Sequence, residues 1–325
     1  MSYSSLIPLL KKTGSPLTVE AFQARINIVF HDHEALHYDA MHQDMWDSLQ
    51  EQINLLVDDW YEYQEPQQHL SLLDIGCGTG LSTQKLLHSK VGQNIDEITL
   101  LDTSSVMLQQ AEAKAKMWNK KYTIVNSDIA TLKNQYDVIM VCSVLHHIPE
   151  LADFLKQIDG LLKPGGIFIH LQDPNGDYLN DVVYQQRLQQ YEQLVSTSSP
   201  KKITDFFPKS AKHWINRNLG RKNYIDRIND QLLAEKVIRS RMTADEIWSV
   251  TDIHVENKFN TINKGISAVF LKEQLRNFQL IKQRSYAFYS VLKSDLPAEL
   301  KSNEDSFCAS NEYNGRNVSC IWIKK

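Results

Sequence analysis

The sequence predicts an α/β fold, a doubly wound and mostly parallel sheet, and three observations predict it. Five short apolar runs, "SLLDIG", "EITLLD", "YTIVNSD", "YDVIMVCSV" and "GIFIHLQD", alternate with stretches of helical character. Each run is apolar nearly throughout rather than at every second residue, the mark of strands covered on both faces. Each also ends in an acid or a polar residue, at the sheet edge where open α/β folds bind their ligands. With 325 residues, 42% of them hydrophobic, the chain can fill one large domain plus an insertion, which excludes unfolded and fibrous classes.

Residues 1–65 read as an N-terminal helical segment. No proline interrupts Thr18 to Trp60, and His33, His37, Met41, Met45 and Leu49 recur every four residues, joined by Tyr38, Ile53 and Leu56. That periodicity describes a helix face packed on something. A turn-rich "QEPQQ" ends it, and residues 66–174 carry the five strands. After Pro174 the alternation stops. Residues 175–263 read as an inserted helical cap that would supply the substrate pocket, with Trp214, Arg221, Tyr224, Trp248 and His254 as candidate contacts. Aromatics on amphipathic helices also serve simply as packing groups. In residues 264–325 the α/β pattern resumes, with "KGISAVFLKEQLRN" as a helix and "FQLIKQRSYAFYSVL" and "VSCIWIKK" as strands.

The formal charge of −4 provides no basic field to hold a phosphate backbone, so the expected partner is a small molecule and not a nucleic acid. Cys77, Cys142, Cys308 and Cys320 are scattered without paired spacing, which reads as reduced thiols in a cytoplasm. The opening "MSYSSLIPLLKK" has the wrong order and length for a signal peptide, and no run is long enough to span a bilayer. The expectation is a cytoplasmic monomer or homodimer without a membrane partner.

The segment that carries chemistry is "LLDIGCGTG", Leu72 to Gly80. Gly76, Gly78 and Gly80 let the backbone turn sharply at a strand end and expose main-chain N–H groups at a helix start, where negative charge is favoured. A dinucleotide fingerprint needs glycine at the sixth position, where this chain has Leu81, and Asp74 puts a carboxylate where a pyrophosphate would be repelled. The loop therefore points to a nucleotide-like cofactor without a diphosphate. Asp102 ends the second strand, placed to accept both hydroxyls of a ribose, and Asp128 beside Ile129 ends the third, a pair that could accept from an adenine amino group and cover its ring.

At these residues the chain resembles the class I, seven-stranded Rossmann-like S-adenosylmethionine-dependent methyltransferases. "DIGCGTG", the acid of "LLDTS", "NSDI", "VCSVLHHI" and "LKPGGIFI" occur in the family's order and spacing. The resemblance implies a sheet of order 3-2-1-4-5-7-6 with the last strand antiparallel. It implies S-adenosylmethionine as cofactor and S-adenosylhomocysteine as product. Gly76, Gly78 and Gly80 would pack on the methionine part, with Asp74 near its amino group, and Cys77 counts among the cofactor-binding loop residues only as a small residue the loop tolerates. Asp102 would hold the ribose, Asp128 and Ile129 the adenine, Thr103 and Met107 would be further cofactor-binding residues, and Ser143 with His146 would lie where the methionine end meets the substrate.

The expected reaction is methyl transfer to a small-molecule oxygen or nitrogen, with His146 or His147 as general base for an acceptor that carries a proton. A purely structural role for both histidines stands beside that reading. Asp173 in "LQDP" reads as a strand-end site residue or a simple turn former, the turn being favoured. "HEALH", His33 to His37, matches a zinc-protease pattern, but it offers no third ligand at a recognised spacing and leaves the glycine loop unexplained. The expectation is no metal. The resemblance instead makes "HYDAMHQDMW" a lid, with Tyr38 near the sulfonium and His33, His37 and His42 facing cofactor or substrate. A cofactor-binding sensor or scaffold without activity is the alternative, and a zinc hydrolase the third reading.

Overall fold

The structure, a computed structural model, describes residues 3–35, 38–41, 43–178, 180–198, 224–255 and 265–325. Seven strands form one sheet: β1 (Leu70–Ile75), β2 (Ile95–Asp102), β3 (Lys121–Asn126), β4 (Tyr136–Cys142), β5 (Leu162–Pro174), β6 (Phe278–Tyr286) and β7 (Asn317–Lys324). Their order is β3-β2-β1-β4-β5-β7-β6. β1 to β5 run parallel, while β7 is antiparallel to both β5 and β6. The fold class and strand order are those expected from the sequence.

The sheet is covered on both faces, which explains the uninterrupted apolar strands. On one side Leu72, Leu100, Val138, Met140 and Ile169 pack under Leu49, Ile53, Leu56 and Trp60 of a long helix, Gln43–Tyr63. On the other, Leu73, Ile139, Val141 and Phe168 meet Phe154, Leu155 and Ile158 of the helix Leu151–Leu161. Because β1 leads outward to β2 and β3 while β4 leads the other way to β5, a crevice opens at the carboxyl ends of β1 and β4. Open α/β sheets bind ligands at such a switch point.

Two expectations change. The stretch from Thr18 to Trp60, expected as one or two helices, holds α2 (Val19–Glu34), a short turn of helix at Tyr38–Met41 and the long helix, with α1 (Ile7–Thr13) before them. His37 and His42 lie outside the described residues, as do Trp214 and Arg221. The described parts of 175–263 also do not form one cap. The helix Val182–Ser198 places Tyr191 and Leu194 against Phe288 and Tyr289, whereas the helices Tyr224–Ala234 and Ala244–Thr251 build a separate small core with α1 and α2 through Ile228, Leu232, Ile247 and Val250 against Phe22, Ile26 and Val29. Each amphipathic segment buries its stripe against the nearest unpartnered apolar face, which periodicity alone cannot identify.

A helix at Ala298–Ala309, between β6 and β7, was not anticipated. Its Glu304 is buried and accepts backbone N–H bonds from Ala287 and Phe288. Burial pushes the Glu304 carboxyl up to about 7, against the two N–H bonds that favour its charge. Unfolding would restore an ordinary carboxyl pKa, so the folded chain holds the extra proton and its stability falls as pH rises from about 5 through 7. Relative to a Glu304→Gln variant, wild type should therefore lose melting temperature over that window in thermal unfolding scans.

Candidate active site

The loop after β1 is shaped by three glycines at positive φ: Gly76 at 66°, Gly78 at 52° and Gly80 at 77°. The turn carries the N–H groups of Gly76 and Cys77 on to the carbonyl of Leu101 at the end of β2, 2.8 and 3.1 Å away. A side chain at Gly76 would meet Val144 Cγ2 at 2.7 Å, so close packing as well as φ requires glycine there. Asp102 locks the loop from the next strand, its carboxylate accepting N–H bonds from Gly78 and Ser104, each 2.8 Å. Burial raises its pKa above the usual carboxylate range, although both N–H bonds favour the charge.

These groups open on a cavity of about 360 Å³. Gly76, Gly78, Asp102, Thr103 and Met107 line it from β1, β2 and the start of the following helix. Asp128 and Ile129 line it beyond β3, where the Asp128 side chain accepts from Ala130 N–H at 2.8 Å and so fixes the corner. Cys142 and Ser143 line it at the end of β4, with Ser143 held at a φ of 59° by its N–H bond to Leu171. α2 forms the facing wall through Gln23, Asn27 and His31, with Tyr38 just beyond. Three contacts pin this wall down. Ser104 donates to Asp32 at 2.5 Å, Thr79 donates to Asp39 at 2.6 Å, and Lys114 pairs with Asp39 at 2.7 Å.

Not every expected residue reaches the cavity. Cys77 and Gly80 shape the loop behind it. Asp74 is wholly buried, one oxygen accepting from Ser82 and Thr83 and the other without a hydrogen-bond partner, and burial pushes its pKa up to about 7. His33 packs edge-on to Tyr224, its Nε2 buried without a partner, and His254 donates from Nε2 to Ile148 O, 2.8 Å away. None of these five lines the cavity.

The two adjacent histidines separate. His146 is buried and its Nδ1 lies 2.9 Å from Asp173, whose carboxylate also accepts the His146 backbone N–H. Asp173 is thus a fully buried strand residue rather than a turn former, a correction that follows from its charge being held by His146. Burial, helped by the nearby His147, lowers the His146 pKa. His147 lines the cavity, donates from Nδ1 to Thr251 O at 2.8 Å and has Asp252 at 3.3 Å. Burial would lower its pKa, but the bond and charge of Asp252 outweigh it and the net shift is upward. Asp252 was missed in the sequence, two residues before the His254 that drew attention. The polar wall of α2 was missed as well, because Gln23 and Asn27 carry no motif.

A crossover of glycines at a topological switch point, with strand-end acids at β2 and β3, defines a Rossmann-like domain for a nucleotide-type cofactor. Residues 73–168 match the family model described as "Methyltransferase domain". Among curated proteins, the polyketide synthase-nonribosomal peptide synthetase phmA of Phaeosphaeria nodorum is 33% identical over 119 residues, 34% of this chain and 3% of that protein. Prosolanapyrone synthase of Alternaria solani is 32% identical over 124 residues, 35% of this chain and 5% of that protein. The chain thus matches only a small part of these relatives. Among solved structures, the plantazolicin methyltransferase BpumL in complex with SAH has 14% identity and a TM-score of 0.42, covering 94% of this chain and 99% of that one. A putative methyltransferase in complex with the Haloferax volcanii Trm112 activator has 14% identity and a TM-score of 0.46, covering 90% and 97%.

Proposed function

We propose that the protein is an S-adenosylmethionine-dependent methyltransferase acting on a small-molecule acceptor at oxygen or nitrogen. The observation that carries this reading is the convergence on one cavity of the glycine loop, the Asp102 carboxylate and the Asp128–Ile129 corner. Asp102 would take the ribose hydroxyls, Asp128 and Ile129 the adenine, and the backbone at Gly76 and Gly78 the methionine part. S-adenosylmethionine, when bound, supplies an electrophilic methyl group. The residues of the chain then have two tasks, to align an acceptor with that methyl group and to keep water away. α2 and Tyr38 do the second by walling the cavity, and the acceptor side falls to His147, since His146 is turned to Asp173. A small acceptor fits the negative net charge and the polyketide synthases among the relatives.

Release of S-adenosylhomocysteine, measured against a panel of phenolic, enolic and amine acceptors, tests the reading. Turnover with one of them supports it, and product formation unaltered by Asp102→Ala would sink it. Burial holds the Tyr38 hydroxyl un-ionised, its pKa well above the ordinary value. If Tyr38 covers the sulfonium end, Tyr38→Ala should weaken S-adenosylhomocysteine binding about tenfold, the loss of a buried aromatic contact of roughly 1–1.5 kcal/mol. Unchanged affinity in a calorimetric titration would remove Tyr38 from the site.

A further inference from the structure

We propose that His146, His147 and Asp252 form a binding site for one first-row divalent transition metal ion, of the Zn²⁺ or Co²⁺ class, at the cavity's acceptor end. One ligand atom from each of the three lies within 4.8 Å of the others. The two imidazole rings stand 4.0 Å apart, centroid to centroid.

The protonation pattern is the stronger argument. A metal-binding histidine characteristically donates its second ring N–H to a carboxylate or a backbone carbonyl, which fixes the tautomer and leaves the other nitrogen free to bind. Both histidines are held this way. His146 gives Nδ1–H to the buried Asp173, and His147 gives Nδ1–H to Thr251 O. That leaves the two Nε2 atoms as the positions for a metal, while the Asp252 carboxylate lies against the same His147 ring, 3.3 Å from its Nδ1.

The geometry needs one adjustment. Ligands at about 2.0–2.2 Å from a tetrahedral ion sit about 3.3 Å from one another, closer than the present outer limit. Asp252 can supply the movement: its side chain is 34% exposed at the end of the helix Ala244–Thr251 and not embedded in the core. Two nitrogens and one oxygen suit a borderline cation and disfavour Mg²⁺ or Ca²⁺, and three protein ligands leave a coordination position open. His147 lines the cavity, so that position borders the space left for an acceptor. A proton and a cation compete for the same Nε2 lone pairs. The metal titration therefore decides which of the two His147 serves.

This inference does not depend on methyl transfer, because the test needs no cofactor. Chelator-treated full-length protein, free of any affinity tag, is titrated with CoCl₂ by visible absorption and with ZnCl₂ by calorimetry. The expected result is one ion per chain with micromolar affinity, weakened at least tenfold by Asp252→Asn and by His146→Gln. His69→Gln, which removes an exposed histidine bonded to Asp96, should change nothing. His146→Gln alters the core, whereas Asp252→Asn leaves it intact, so the second variant carries the test if the first is unstable. No binding by wild type up to millimolar metal, or equal binding by Asp252→Asn and wild type, would overturn the proposal.

Discussion

Replacing Asp102 with alanine should weaken S-adenosylhomocysteine binding by two to three orders of magnitude. The carboxylate holds the glycine loop through Gly78 N–H and the next helix through Ser104 N–H, and its buried position is where a ribose would be read. Hydrogen bonds to a charged group contribute about 1.5–3 kcal/mol each, and two ribose hydroxyls would be lost together, about 3–5 kcal/mol in all, with 1.4 kcal/mol per decade of affinity. Asp102→Asn preserves the shape and one acceptor, so its loss should be nearer tenfold. A calorimetric comparison of the three proteins checks the order. Equal losses in both variants would mean that the carboxylate only braces the loop.

Gly76→Ala should destabilise the fold by roughly 2–5 kcal/mol. The position has a φ of 66°, and the added Cβ would press on Val144 Cγ2 at 2.7 Å. A left-handed conformation costs an L-residue about 1–2 kcal/mol, and overpacking a buried contact about 1–3 kcal/mol more. Val144 is buried where β4 runs into the His146–His147 turn and cannot move away cheaply. Gly78 also has positive φ but nothing within 4 Å of its missing Cβ, so Gly78→Ala should cost only the backbone part. Chemical unfolding of both variants separates strain from crowding, and equal costs would contradict the role assigned to Val144.

The centre of the sheet was legible because β1, β4 and β5 are nearly continuous apolar runs, a local signal that two-sided burial imposes on the sequence. The wall of the cavity at the ends of β1, β2 and β3 was legible for a related reason. Glycines at Gly76, Gly78 and Gly80 and acids at Asp102 and Asp128 lie at strand ends, so their place in the fold follows from the strands themselves. The acceptor half was not legible. Asp252 reaches His147 across 105 positions of sequence, and no periodicity encodes that meeting. Asp173 looked like a turn former beside Pro174 and turned out to be buried because His146 came to it. The four-residue histidine rhythm that suggested one helix face meets the end of α2 at Glu34. Long-range pairing decides the first two.

An equilibrium titration of chelator-treated wild-type protein with S-adenosylhomocysteine, run beside NAD, tests the central claim most directly. The account predicts saturable one-site binding in the micromolar range for the first ligand and none for the second, because Leu81 stands where a dinucleotide fingerprint needs glycine. Failure to bind S-adenosylhomocysteine at millimolar concentration, or preference for NAD, would contradict it.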